Sequence, residues 1–545
     1  MNMIIGTTEQ NTPVTIDAAD LTTHGVILGR TGSGKTGATV VTIEEAVLNG
    51  ASVIILDPKG DLTNLALAFP KLKANEFAPW TEDDKDPAEI AARARKELSH
   101  LAPNVQRWKD SADVTIYAPG KTRGGGEEVN VLASFDKPTG NYTKQGLRDR
   151  ASSLVASILS AIGHNADPMT DPANVFLTDA TINAWNSGSP AGLETWAAIL
   201  SNPPEKLKKI DGLKLNDFFS KKNRMKIARS IIGFRRQASK WLNGSPLSIN
   251  NCIGINKPKV SVFTMRHLDE GERQFFSSML LSAIVDYMFQ APASSKLKLL
   301  VVLDEARGYL PPYPLNPPTK KPICTLLAQG RAQGIGMLIG TQNPNDLDYK
   351  ALTNVGTWFL GKLRPRDCAR DLKKELCDRD VDTVTLSKIP QRHFLILKRS
   401  GEHAIAKIRW TYSYLRGPMN GDDLLRLNQT SGVIKAKNLR GSENLDIVYV
   451  VSNRRSISSP VEVEYSIDNG NSWDRCCLKK SYKRYATAPE GRQHRVSWDT
   501  IKSFGYSKSN GLLRLLINGE HTGEHSKFSV DNSKVKRSLL ASIFG

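Results

Sequence analysis

Leu28-Gly29-Arg30-Thr31-Gly32-Ser33-Gly34-Lys35-Thr36 decides how this chain folds, because it spells G-x-x-x-x-G-K-[ST] where one hydrophobic period gives way to another. Before it, Val26-Ile27-Leu28 is a short apolar run of the kind that makes a buried strand. After it, Thr36 to Asn49 has helical spacing and is stopped by Gly50. Strand, glycine-rich loop and helix in that order make a phosphate cradle. The glycines let successive backbone N–H groups from Gly29, Arg30, Thr31, Gly32, Ser33 and Gly34 turn toward one centre, and the helix N-terminus adds a positive dipole end. Lys35 then reaches the β- and γ-phosphates, and the Thr36 hydroxyl ligates Mg²⁺. The expectation is a nucleoside triphosphate site.

The chain has 545 residues, enough for roughly three to four domains. Hydrophobic residues make up 40% and charged residues 24%, the balance of a soluble globular protein. A formal charge of +19 and a pI near 9.5 point to a polyanionic partner, nucleic acid first, against the plainer reading of a basic, soluble surface. Cys252, Cys324, Cys368, Cys377, Cys476 and Cys477 show no C-x-x-C pairing and no histidine spacing for zinc, which fits a reduced, cytoplasmic chain. Met1-Asn2-Met3-Ile4-Ile5 has no basic segment ahead of an apolar core, and no run approaches the length that spans a bilayer. No solenoid period or low-complexity tract is present.

Outward from the loop, strands are expected around Met3 to Gly6 and Val14 to Asp17. The next buried strand, Ser52-Val53-Ile54-Ile55-Leu56-Asp57, delivers Asp57-Pro58-Lys59-Gly60-Asp61 at its carboxyl end, the edge of a parallel sheet where ligands sit. Two readings stand there: Asp57 and Asp61 hold metal-bound water or flank the γ-phosphate, or Pro58 and Gly60 simply turn the chain. Glu76 to Leu101 reads as polar helix, and Val114 to Ala118 as a strand. From residue 141 to 250 long helical patterns, such as Leu147 to Ile162 and Gly192 to Leu200, replace the alternation and predict an inserted bundle. Within it, Lys206 to Lys240 is dense in lysine and arginine. Lys221, Lys222, Arg224, Arg235 and Arg236 are the candidate contacts to a nucleic-acid backbone, against the alternative of a solvated helical face.

The sheet resumes with Lys259 to Thr264, a helix from Glu270 to Phe289, and Leu299-Leu300-Val301-Val302-Leu303-Asp304-Glu305. Asp304 at the strand end is placed to hold the Mg²⁺ shell, and Glu305 to polarise the water that attacks the γ-phosphate. Ile323 to Arg331 reads as a helix and Ile335 to Gln342 as a buried strand whose terminal Gln342 senses the γ-phosphate. Arg331 either lies at a subunit border and reaches a neighbour's nucleotide, or is an ordinary basic helix end. Thr357 to Leu363 is one more strand, followed by the basic residues Arg364, Arg366, Arg370, Lys373 and Lys374. From about residue 440 short alternating runs (Asp446 to Val451, Val461 to Ile467, Arg495 to Trp498, Leu512 to Ile517) predict an all-β unit. Asp468-Asn469-Gly470 marks a hairpin with Trp473 packed under it.

Gly29 to Thr36, Asp57-Pro58-Lys59-Gly60, Leu303-Asp304-Glu305, Arg331-Ala332-Gln333-Gly334 and Gly340-Thr341-Gln342, in that order, resemble the HerA/FtsK superfamily of ring-forming, DNA-pumping ATPases. Glu305-Ala306-Arg307-Gly308-Tyr309-Leu310-Pro311-Pro312 and the run from Thr341 to Lys350 look especially like a bacterial HerA-like group. The resemblance covers about residues 1 to 420. It implies a RecA-like core with a helical-bundle insert, assembled as a homo-hexamer around double-stranded DNA. Carried over, Lys35 and Thr36 bind ATP and Mg²⁺, Asp304 and Glu305 are the metal and catalytic acids, Gln342 is the sensor and Arg331 the arginine finger. The archaeal HerA pattern includes an N-terminal β-barrel associated with docking a nuclease. This sequence does not show one, so a different partner is expected, docked on the C-terminal sandwich. HerA-like ATPases also occur beside effector enzymes in bacterial anti-phage systems.

The expected architecture is therefore α/β. A RecA-like P-loop core with a mainly parallel sheet spans residues 1–140 and 251–420 around a helical bundle at 141–250, with a linker at 421–439 and an immunoglobulin-like β-sandwich at 440–545. Two functional classes follow: a DNA translocase or helicase driven by ATP hydrolysis, and a regulatory scaffold whose nucleotide-dependent ring gates an effector. A GTPase is disfavoured by the lack of an N-K-x-D base-reading motif, and a small-molecule kinase by the lack of an acceptor-binding element.

Overall fold

The computed structural model describes residues 2–82, 84–120, 125–135, 137–138, 142–164, 169–363, 383–428, 431–434, 438–452, 458–479, 485–487, 492–517, 520–521 and 525–533. The basic run from Arg364 to Lys374, and Cys368 and Cys377, lie outside them. Two compact units divide the chain, Met1–Gly421 and Asp422–Gly545.

The first unit is built on one sheet of 11 strands. Seven of them are parallel, in the order Thr357–Leu360, Gly25–Leu28, Ile335–Thr341, Leu299–Leu303, Ser52–Asp57, Lys259–Thr264 and Asp113–Tyr117. Gly25–Leu28, Leu299–Leu303, Ile335–Thr341 and Ser52–Asp57 are buried at every position, which is why they read as unbroken apolar runs rather than as alternating ones. An antiparallel flank completes the sheet: His393–Leu397 pairs with Thr357–Leu360, His403–Ile408 comes next, and the hairpin of Asn2–Thr7 and Pro13–Asp17 closes that edge. At the foot of the phosphate-loop strand, buried His24 is held neutral, its imidazole pushed down to about 4 by burial. Its Nδ1 accepts from the Met337 N–H, so Nε2 donates to the Leu327 carbonyl, locking three elements together.

The expected polar helix from Glu76 to Leu101 is broken into short pieces, of which Pro87–Leu98, capped by Asp86, is the longest. The inserted helices include Lys144–Ala161, Pro172–Ser187, Leu193–Ser201 and Lys221–Gln237. Val129–Asn130 pairs in parallel with Ser245–Pro246, so the chain enters and leaves the insert side by side. The insert is seated on the helix Glu270–Gln290: Ser278 bonds Ser157 at 2.6 Å, and Asp286 takes Arg150 Nε at 2.6 Å and the Tyr142 hydroxyl at 2.7 Å. One continuous hydrophobic cluster runs from Val26 and Leu303 through Phe276 to Leu154 and Phe176, so the insert shares the core of the sheet.

In the second unit, Ser431–Ile434, Asn444–Ser452 and Arg492–Asp499 form one antiparallel sheet. Asn438–Gly441, Ser526–Asp531, Lys508–Ile517, Val461–Ser466 and Asp474–Arg475 form another, whose first pair is parallel. Trp498, Tyr449, Leu513, Leu515 and Phe528 belong to one hydrophobic cluster that draws on both sheets. Asn469 and Gly470 both take positive φ, as the Asn-Gly signal requires. The Trp473 indole N–H donates to the Gly470 carbonyl at 3.0 Å while the Arg514 guanidinium lies over its ring.

Candidate nucleotide site

The phosphate loop is shaped by its glycines and pinned at both ends. Gly32 and Gly34 take φ of +80° and +99°, conformations an L side chain resists, and Gly34 directly precedes the helix Lys35–Leu48. At Gly29 a Cβ would come within 2.5 Å of Ser33 Oγ. Gly29 N–H donates to the Thr341 carbonyl and Ser33 N–H to the Arg30 carbonyl, so the loop is tied to the end of the neighbouring strand and curls on itself. Ser33 Oγ is buried with no hydrogen-bond partner. An orphaned hydroxyl in a loop that also carries the N–H groups of Thr31, Gly32 and Gly34 fits an anion with several oxygens. Lys35 is partly buried, and burial pushes its ammonium down to about 8 against the pull of Glu305 and Asp304. A phosphate would restore the charge that burial disfavours.

The parallel register brings the other expected groups to this edge. Leu303 pairs with Leu56 on one side and Ile339 on the other, and Thr341 with Leu28, so Asp57, Asp304, Glu305 and Gln342 all leave their strands beside the loop. Asp304 is buried, and burial, offset by Lys59 and Lys35, holds its carboxyl up at about 6. A divalent cation would supply the charge this buried acid lacks. Glu305 sits at φ +74°, in the left-handed region that a glutamate rarely occupies, and so turns off the strand direction toward the loop. Its carboxylate accepts from Lys59 Nζ at 2.7 Å and Gln342 Nε2 at 3.0 Å, while Gln342 Oε1 accepts from the Thr31 hydroxyl at 2.7 Å. Burial raises the Glu305 carboxyl, but the Lys59 bond and the Lys59 and Lys35 charges outweigh it and leave it below its ordinary value. Thr31, Gln342, Glu305 and Lys59 thus form one relay across the mouth of the cradle.

Of the two readings of Asp57-Pro58-Lys59-Gly60-Asp61, the turn is the one the geometry supports for Asp57. Its buried carboxylate accepts from Gly60 N–H at 2.7 Å and Leu62 N–H at 2.9 Å, which spends it on shaping the turn. Lys59, carried by that turn and bonded to Glu305, is a candidate site residue the sequence reading missed. The signal was its place one residue past an Asp-Pro at a strand's carboxyl end. Lys59→Ala is expected to lower kcat about tenfold with KM for ATP unchanged within twofold, because the Glu305 carboxylate loses its orienting cation while the cradle stays intact. Lys59→Arg should recover part of the loss. A rise in KM with normal kcat would instead make Lys59 a ground-state binding group.

Arg331 is exposed and lies in the turn before Ile335–Thr341, whereas the phosphate loop abuts Thr341. Seven residues of strand separate the two, roughly 20 Å, so Arg331 is not assembled with the other site residues of its own chain. Among the basic candidates, Lys221, Lys222, Arg235 and Arg236 are exposed, with Arg235 paired to Glu194 at 3.0 Å. Arg224 departs from expectation. It is 4% exposed, and its guanidinium donates to the Phe219 carbonyl and to Asn216 Oδ1, so it holds the start of its helix rather than facing a polyanion.

The chain covers 74% of its length and 96% of VirB4 of Thermoanaerobacter pseudethanolicus at 14% identity and TM-score 0.42. It covers 76% of its length and 91% of plasmid coupling protein TrwB in complex with GDPNP at 13% identity and TM-score 0.46. Over 30% of its length and 73% of theirs, it is similar to the genome packaging NTPase B204 from Sulfolobus turreted icosahedral virus 2, at 19% identity and TM-score 0.22. No curated protein matches it by sequence. Residues 3–114 match the family model described as the central domain of helicase HerA. The segment that holds the phosphate loop and the strand ending in Asp57 is thus the part of the chain that is similar to the HerA central domain.

Proposed function

We propose that the chain is a ring-forming ATPase that couples hydrolysis to movement of double-stranded DNA. The observation that carries the reading is the convergence of Asp304, Glu305 and Gln342 on the phosphate loop, an arrangement suited to activating water rather than to passing a phosphoryl group to a bound acceptor. The backbone N–H groups of Thr31, Gly32 and Gly34 and the Lys35 ammonium hold the triphosphate, while those of Gly29, Arg30 and Ser33 brace the loop, and Thr36 and Asp304 would hold Mg²⁺, which neutralises phosphate charge when bound. Glu305, kept ionised by Lys59, accepts the proton of the attacking water. Gln342 reports the γ-phosphate by exchanging its bond to Glu305 for one to a phosphate oxygen.

Two features support a ring on nucleic acid. Arg331 stands before the amino end of a central strand, remote from its own site, so a role at a nucleotide would be exercised on a neighbouring copy. The charge of +19, with exposed Lys221, Lys222, Arg235 and Arg236, suits a backbone-tracking contact. The family described as a helicase domain agrees with both. The second unit, with its own core, supports the other reading, a scaffold whose ring gates an effector protein docked there, in phage defence or DNA processing. Among the described residues no helix is long and apolar enough to cross a membrane.

Steady-state ATPase with and without double-stranded DNA, on a sample sized in parallel, separates the two. Stimulation of several-fold in a hexamer-sized peak, fading as salt rises, is the result expected of the motor. Turnover indifferent to DNA, with nucleotide-dependent capture of a partner on residues 422–545, would replace it with the scaffold.

A further inference from the structure

A cavity of about 580 Å³ opens beside the phosphate loop, and none of the side chains assigned above to hydrolysis lines it. Gly34 and Gly37, which flank Lys35 and Thr36, line one wall: a Cβ on Gly37 would meet nothing outside its own helix within 4 Å, whereas one on Gly34 would come within 3.1 Å of Arg392 Cα. Apolar side chains, Phe77 and Ile90 among them, come from the broken helical stretch after the second buried strand. Trp410 supplies an aromatic face, with the Arg392 guanidinium carbon 4.2 Å and that of Arg93 5.2 Å from its ring centroid. Ser413, also in the lining, has a hydroxyl buried without a partner.

The wall bearing Trp410 is fixed to the helix that starts at the phosphate loop. Arg409 reaches Glu44 and Glu45 of that helix at 2.9 Å each, and the N–H groups of Tyr412 and Ser413 donate to Glu44. Arg392 N–H donates to the Ser33 carbonyl inside the loop at 2.9 Å, so the cation over the indole moves with the cradle. Phosphate cradle and aromatic chamber are therefore one rigid construction. We infer that the cavity receives the nucleobase and sugar of the bound triphosphate, with Trp410 as the stacking face and Arg392 as the cation that shapes it. A base must lie within one sugar of the α-phosphate, and the chamber, lined by Gly34 and Gly37 on either side of Lys35 and Thr36, opens directly beside the phosphate-binding residues. A cavity of this size, apolar with a few polar groups, is suited to a flat heteroaromatic ring.

The inference rests on the triphosphate reading of the loop, and inorganic tripolyphosphate separates the two. Equilibrium binding of ATPγS and of tripolyphosphate is measured for the native chain, Trp410→Ala, Trp410→Phe and Lys35→Ala. Trp410→Ala is expected to weaken ATPγS roughly tenfold or more, the effect of losing one stacked base, while tripolyphosphate stays within twofold. Trp410→Phe, which keeps an aromatic face, should recover most of the ATPγS affinity. Equal losses for both ligands would show that Trp410 only supports the loop, and unchanged ATPγS would place the base elsewhere. If Lys35→Ala leaves both ligands unaffected, the loop is not the phosphate site and the chamber loses its ligand with it.

Discussion

Glu305→Gln is expected to bind ATP as the native chain does and to turn it over at least about a hundredfold more slowly, a barrier increase of about 2.7 kcal/mol. The substitution isolates chemistry from shape. A glutamine has the same length and branching, so it can occupy the φ +74° position at the same cost, and its amide oxygen can still accept from Lys59 and Gln342. It cannot take a proton from water. Lys59 and Lys35 hold the native carboxyl below its usual range, so Glu305 is ionised throughout the neutral region and its loss is not masked by protonation. Binding by calorimetry and turnover by phosphate release check the two halves separately. Near-native turnover would remove Glu305 as the base and leave Asp61 as the next acid on that edge to test. Lost binding would mean the relay is needed to keep the cradle open.

The parallel half of the sheet was legible because its strands are buried on both faces. Such strands cannot alternate, so they appear as Val-Ile-Leu runs, and the residue ending each run falls at the ligand edge. Asp304, Glu305 and Gln342 could be read that way. In the antiparallel flank the strands near Met3 to Gly6 and Val14 to Asp17 were legible, but His393–Leu397, His403–Ile408 and the pairing were not, since Gly6 pairs with Ile408 and no local pattern encodes a partner some four hundred residues away. Lys59 and Trp410 were missed for a similar reason. Each acquires its role from a contact distant in sequence, with Glu305 in one case and with Arg392 and the phosphate-loop helix in the other.

Arg224 is a different failure, because its signal was present. Arg224, Ile227, Ala228 and Ile231 recur at i, i+3, i+4 and i+7, the buried stripe of a helix, and all four are buried. Counting charge along the segment hid that spacing. The same count remains useful for Lys221, Lys222 and Arg236, which lie off the stripe and are exposed.

Arg331→Ala is expected to lose about a thousandfold in turnover while binding ATP normally, and to regain activity when mixed with Lys35→Ala chains. The argument is one of position. Roughly 20 Å of strand separates Arg331 from the loop of its own chain, far more than an arginine side chain spans, so no rotation of that side chain reaches its own γ-phosphate. A head-to-tail ring is the arrangement that lets one copy's remote edge meet the next copy's cradle. In a mixed ring an Arg331→Ala chain keeps an intact loop, and a Lys35→Ala neighbour keeps an intact finger. With equal, random mixing, half the loops are intact and half of those face an intact finger, so roughly a quarter of the sites are complete. ATPase of the mixture, with co-assembly verified by sizing differently tagged chains, reads this directly, since neither parent alone can contribute it. No recovery in a verified mixed ring would show that Arg331 does not act between copies. Full activity of Arg331→Ala alone would reduce it to a cation at a helix end, where the dipole favours it for reasons unrelated to catalysis.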